Sequence, residues 1–258
     1  MAVRTVFFDL DDTLMEEEAP LVDAYRAACA PVEERHGIPV DAFFAKARVL
    51  GREVFRTAPA IDYLRAIDAG SSDLLSADYD QNAPHANEMQ VWLEHYRRGF
   101  FRDGLRAFGI ENDALADELL DRYIDHRHAH HRVFPEAIEV LEALAARFPL
   151  VLVTNGPGHH QRTKVDAVGF GPYFKGIVVS GEVGMAKPDA RMFDQALRIA
   201  GVEAHEAIMV GNNLPRDIGG AQARGIPGAW VNRINERANG IQPRWEIADL
   251  REVLALVG

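Results

Sequence analysis

Apolar and polar positions along this chain follow two rhythms. Val3, Val6, Phe7 and Phe8 make a short apolar run bounded by polar residues, the pattern of a strand covered on both faces. From there to about residue 130 the apolar positions recur at helical spacing. Residues 21–35 place Leu21, Val22, Tyr25, Cys29 and Val32 on one stripe, and residues 42–56 place Phe43, Phe44, Ala47, Leu50, Val54 and Phe55 on another. Residues 58–68, 88–108 and 113–126 continue in the same way, with Met89, Val91, Trp92, Tyr96, Phe100, Phe101, Leu105 and Phe108 in the longest of them. Gly70-Ser71-Ser72 and the polar run 76–87 read as loops. No strand pattern, internal repeat or low-complexity tract interrupts this helical stretch.

After Phe134 the rhythm alternates. Pro135 suits a helix first turn, and Ile138, Leu141, Leu144 and Phe148 give that helix its apolar face. Strands are expected at 150–153, 177–179, 207–210 and 229–231, and helices at 158–168, 190–200, 216–224 and 245–256. Strands separated by helical segments imply parallel βαβ units. The fold class is therefore α/β, a Rossmann-like parallel sheet formed by residues 1–14 and 134–258. Residues 15–133 are inserted as an all-helical cap at the sheet's C-terminal edge.

Composition narrows the functional classes. The 258 residues are 48% hydrophobic and 26% charged, ordinary globular usage, and the length accommodates two modest domains at roughly 100–200 residues each. No apolar stretch reaches the roughly 20 residues of a membrane span. The start lacks the basic and apolar regions of a secretory signal, and a single cysteine, Cys29, cannot build an intrachain disulfide. A cytoplasmic location is expected. The net charge of −11 includes −8 from residues 15–134, which offers no footprint for nucleic acid. It leaves room for a small anion held by local donors. Lysine-dependent chemistry has four candidates, Lys46, Lys164, Lys175 and Lys187, because 24 of the 28 basic residues are arginine.

The candidate chemistry sits at expected strand ends. Asp9 and Asp11, two apart at the end of the first strand, can face one site. Carboxylates held that close call for a cation beside them or for a raised pKa on one of them. Thr154-Asn155-Gly156 follows the strand at 150–153 and offers a hydroxyl and two backbone N–H groups at a helix entrance, an anion site by geometry. Lys187-Pro188 precedes a helix, and Gly211-Asn212-Asn213-Leu214-Pro215-Arg216-Asp217 follows the strand at 207–210. Singly, these are a turn, a helix start and a first-turn acid.

Together, in this order, the four motifs resemble the haloacid dehalogenase-like superfamily. Ser180-Gly181-Glu182-Val183-Gly184 before Lys187, and Asp217-Ile218-Gly219-Gly220-Ala221, agree with it. The resemblance covers the α/β part; the helical insertion matches in location and character. It implies a Mg²⁺-dependent phosphatase acting on a small phosphorylated metabolite through an aspartyl-phosphate, as a monomer or homodimer. Asp9 would be the nucleophile and Asp11 the acid–base partner. Thr154, Asn155 and Gly156 would bind the phosphoryl group, and Lys187 would stabilise its charge. Asp9, Asp11, Asn212 and Asp217 would surround the metal.

One position departs from the family: Asn212 stands where an aspartate usually ligates the metal, which predicts a weaker metal site. The same departure admits a metal-free 2-haloacid dehalogenase, although such relatives lack the second aspartate, present here as Asp11. A phosphosugar mutase and a non-catalytic phosphate-binding module share the fold. Outside the motifs, His126, His128, His130 and His131 read as a solvated hinge or as metal ligands. Arg97, Arg98 and Arg102 read as a solvated face or as contacts to a substrate's distal group.

Overall fold

In a computed structural model, which describes residues 3–238 and 240–257, the chain divides into two compact units. One joins the chain up to Glu16 to the chain from Arg132 onward; the other is Glu17–His131. Residues 1, 2, 239 and 258 of the expected core lie outside the described residues.

The first unit opens with β1 (Thr5–Phe8) and β2 (Met15–Glu16). The chain then runs through the helices of the second unit, α1 (Glu18–His36), α2 (Val40–Phe55), α3 (Ile61–Ala66), α4 (Asp73–Ser76), α5 (Ala86–Arg106) and α6 (Asp113–Ala129). It returns through β3 (Arg132–Val133), α7 (Ala137–Ala145), β4 (Leu150–Thr154), α8 (Gly158–Ala167), β5 (Gly176–Val179), α9 (Ser180–Val183) and α10 (Ala190–Ala200). It ends with β6 (Ala207–Gly211), a π-helical turn (Leu214–Gly219), α11 (Gly220–Ala223), β7 (Gly228–Val231), β8 (Trp245–Ile247) and α12 (Val253–Leu256).

Six strands form one parallel sheet in the order β5-β4-β1-β6-β7-β8. Its central strands are apolar at nearly every position because both faces are covered. Val6, Phe8, Leu150, Leu152, Ile208 and Val210 pack toward the residues of α7 and α12. Phe7, Val151, Val153 and Met209 pack toward Met192, Phe193 and Ala196 of α10. The connections diverge on either side of β1, so the C-terminal ends of β1, β4 and β6 stand side by side at the topological switch point, where open α/β sheets bind ligands.

β2 and β3 pair antiparallel where the chain leaves and re-enters the sheet unit. That two-residue ladder explains why the division falls at Glu16 and Arg132 rather than at 14 and 134. Arg233 braces it: its guanidinium lies 3.8 Å from the centroid of the Phe134 ring, pairs with the buried Glu136 at 2.7 Å and donates to the carbonyl of Thr13.

Three sequence expectations change. The closing segment 245–256 is not one helix. Trp245–Ile247 adds an edge strand to β7, and Asp249 then starts a 3-10 turn through a capping box with Glu252. Residues 216–224 are a π-helical turn and a short α11 rather than one helix. Ile138 and Val91 face outward, at 44% and 74% exposure, because the buried stripe of α7 is Ala137, Val140, Leu141 and Leu144 and that of α5 runs through Met89 and Leu93.

In the helical unit, α2 and α5 cross closely; a Cβ at Gly51 would stand 2.3 Å from the Phe100 ring. Phe101 is fully buried, 5.1 Å from the Phe100 ring centroid and 6.2 Å from that of Tyr123. Phe101→Ala should destabilise by about 3–5 kcal/mol through the cavity it leaves, read as a lower urea midpoint with unchanged slope. The Cys29 thiol is buried, and burial pushes its pKa up to about 12. Arg97 donates to the carbonyls of Leu74 and Ala77, so it ties the C-terminus of α4 rather than forming a solvated face. His126 and His130 stack at 4.0 Å, and His128 Nε2 meets the carbonyl of Ser76. Among the described residues no helix is long and apolar enough to cross a membrane.

Candidate active site

Asp9 follows β1 directly, its N–H still donating to the carbonyl of Val210. The carboxylate is 6% exposed and sits between two partners. Lys187 Nζ donates to Oδ1 at 2.5 Å, and Thr13 Oγ1 donates to Oδ2 at 3.0 Å. Lys187 is also buried, and it reaches Asp217 Oδ1 at 2.7 Å and the carbonyl of Val153 at 2.7 Å. A buried ammonium needs such partners to remain charged. Burial pushes the Asp9 carboxyl up to about 7 against the pull of Lys187, and the nearby Asp217 adds to the rise. Burial alone would lower Lys187, but Asp217 and Asp9 outweigh it and hold the ammonium charged.

Asp217 lies in the π-helical turn after β6, a backbone irregularity often found at functional sites. Its Oδ2 accepts from the N–H of Asn213 at 2.9 Å. Gly211 makes room for it, since a Cβ there would stand 2.4 Å from Asp217 Oδ2. Asn212 is fixed on three sides. Its N–H donates to Thr13 Oγ1 at 3.0 Å, its carbonyl accepts from the Trp230 indole at 2.8 Å, and its Oδ1 lies 3.2 Å from Thr13 Oγ1. One threonine hydroxyl therefore brings the oxygens of Asp9 and Asn212 to the same place.

Asp11 reaches the site differently from the strand argument. The sheet pairing of β1 stops at Phe8, and Asp11 stands in the following turn, where Asp12 adopts a left-handed φ of 57°. Its carboxylate turns toward α8. Oδ1 pairs with Lys164, and Oδ2 accepts from Gln161 Nε2 at 2.9 Å.

The segment after β4 brings Thr154, Asn155 and Gly156 to the C-terminal end of that strand. Thr154 is buried beside Gln161, whose Nε2 lies 2.6 Å from Thr154 Oγ1. The Asn155 side chain clasps the backbone of Lys187, accepting from its N–H at 2.8 Å and donating to its carbonyl at 3.2 Å. Gly156 corrects the sequence reading: its N–H donates to Ser180 Oγ at 2.8 Å, inside the protein. It joins the β4 end to α9 instead of offering an outward donor.

These residues sit at the ends of β1, β4 and β6 and beside β5, and residues 3–225 match the haloacid dehalogenase-like hydrolases. The chain belongs to this family. It is 32% identical over 253 residues to the phosphoserine phosphatase of Thermus thermophilus, covering 97% of this chain and 98% of that one. It is 33% identical over 262 residues to a glyceraldehyde 3-phosphate phosphatase of Methanopyrus kandleri, covering 99% and 97%. The fold matches that of the hydrolase YfnB of Bacillus subtilis, solved bound to magnesium, with a TM-score of 0.65 and 24% identity over the full length of both chains.

Within this haloacid dehalogenase-like site the sequence reading passed over Gln161 and Lys164. Both are buried, at 1% and 2% exposure, and both face Asp11. Their spacing of three along α8 places them on one helix face. Lys164 was one of four lysines in the chain, which is the one sequence signal that pointed to it.

The donor set fits magnesium. Asp9 Oδ2 and Asn212 Oδ1 converge as hard oxygens, and Mg²⁺ takes one or two carboxylates together with water and phosphate rather than a closed protein cage. Among the described residues no three His, Cys, Asp or Glu side chains gather as a preformed cage.

Proposed function

We propose that the protein is a phosphatase that hydrolyses a small phosphate monoester. The observation that carries this reading is Asp9, a buried carboxylate aimed by Lys187 and Thr13 at the switch point of the sheet. Two relatives that match almost the whole chain are named as phosphatases.

An oxygen of Asp9 attacks phosphorus. A bond forms from that oxygen to phosphorus, the ester P–O bond breaks with its electron pair moving to the leaving oxygen, and Asp11 supplies the proton that oxygen takes. Water then attacks the aspartyl-phosphate, Asp11 takes the proton, and Asp9 and inorganic phosphate are released. Lys187 and Thr154 face the charge that builds on the transferring group. Asp9 and Asn212, with the Asp11 backbone and Asp217 nearby, would hold Mg²⁺, whose charge offsets the repulsion between Asp9 and the incoming anion. The helical unit 17–131 acts as a cap in this reading.

Release of inorganic phosphate from a panel of phosphate esters with added Mg²⁺ tests the proposal. Chloride release from a 2-haloacid, with no phosphate from any ester, would overturn it. Because Asn212 is neutral, Asn212→Asp should tighten Mg²⁺ by about tenfold, since affinity follows the charge of the ligand set. Calorimetric titration of Mg²⁺ into both forms reads this directly; equal affinities would remove Asn212 from the metal site.

A further inference from the structure

Of the carboxylates in the site, Asp11 has the least support from its own segment. It stands in a turn with its side chain 27% exposed, whereas Asp217 is almost fully buried and Asp9 is 6% exposed. Its support comes from α8, some 150 residues later in the chain. Lys164 Nζ pairs with Oδ1, and Gln161 Nε2 donates to Oδ2 at 2.9 Å. Two donors on the two oxygens fix both side-chain torsions of an aspartate. Each oxygen keeps a further lone pair for a proton. Gln161 Nε2 also lies 2.6 Å from Thr154 Oγ1, so one amide ties Asp11 to the threonine at the end of β4.

We propose that Lys164 and Gln161 are positioning residues that hold the Asp11 carboxyl in the orientation from which it protonates the leaving oxygen. This rests on the phosphatase reading above. The geometry distinguishes the two lysines. Lys187 contacts Asp9, Asp217 and a main-chain carbonyl, and so serves the nucleophile. Lys164 reaches the same site from α8 and serves the acid.

The consequence is specific to the leaving group. An alkoxide needs a proton as its bond to phosphorus breaks, whereas p-nitrophenolate departs as a stable anion. kcat/KM covers the steps up to the first irreversible one, formation of the aspartyl-phosphate, so it reports that proton transfer without the later hydrolysis. In Lys164→Met, kcat/KM should fall at least about tenfold further for an alkyl ester such as glycerol phosphate than for p-nitrophenyl phosphate, within the range of general acid catalysis. Gln161→Leu, which removes one neutral hydrogen bond, should shift the ratio in the same direction and carries the test if Lys164→Met does not fold. A general loosening of the fold would lower both esters alike. If wild type hydrolyses both esters and the variants lose both equally or neither, the positioning role is overturned and the phosphatase reading stands. If wild type releases phosphate from no ester of the panel, the phosphatase reading falls and this role with it.

Discussion

Asp9→Asn should lower phosphate release by at least about a thousandfold while leaving the protein at least as stable as wild type at pH 8. The first half follows from removing the attacking oxygen, since loss of a nucleophile leaves only the residual catalysis of the surrounding groups. The second half follows from the electrostatics. Burial raises the Asp9 carboxyl from 3.8 to about 7 in the fold. A carboxyl whose pKa rises on folding binds its proton more tightly in the folded state, so its ionisation costs stability as pH climbs from about 4 through 7. An amide never ionises and carries no such cost. Lys187 keeps Asp217 at 2.7 Å and is not left without a counter-charge. Assays with p-nitrophenyl phosphate and thermal melts of both proteins at pH 5 and pH 8, without added metal, check the two halves separately. Residual activity near wild type would remove Asp9 as nucleophile; a variant markedly less stable at pH 8 would contradict the burial argument.

How far the sequence revealed this site depends on where each residue takes its partner. The strands were legible because buried parallel strands are apolar at successive positions, as in Phe7 and Phe8 or 150–153. The rule that ligands gather at strand C-termini brought Asp9, Thr154 and Asp217 to one edge of the sheet, and the resemblance of the four motifs together supplied the roles expected of them. Lys164 was not legible. Periodicity reads apolar residues, and a lysine on a polar helix face looks solvated until Asp11 is seen to bury it. Gly156 looked like an anion donor because sequence shows that an N–H exists but not which way it points; Ser180 supplied the answer. At 245–256 the apolar residues fit a helical stripe, yet β7 had an unpaired edge, and three residues of the segment were recruited to it.

Lys187→Met should damage both stability and turnover, and its pH dependence should reveal why. Lys187 is the ammonium shared by Asp9 and Asp217, at 2.5 and 2.7 Å. Methionine preserves much of the stem's packing but leaves two buried carboxylates facing each other. Breaking a buried pair in this way costs about 3–5 kcal/mol. Loss of that cation also raises the pKa of the Asp9 carboxyl further in the fold, while in the unfolded chain it stays near 3.8. The folded variant then binds more protons than the unfolded chain across the intervening range, so its stability falls as pH rises. The difference from wild type should therefore be largest at pH 8 and should shrink toward pH 5, the direction that proton uptake by Asp9 demands. Denaturant unfolding of both proteins at the two pH values measures it. Activity should fall at least about a hundredfold even where the variant is folded, because the group that aims the nucleophile and offsets phosphoryl charge is gone. Equal destabilisation at both pH values would mean that Lys187 acts through packing rather than as the counter-charge of the two aspartates.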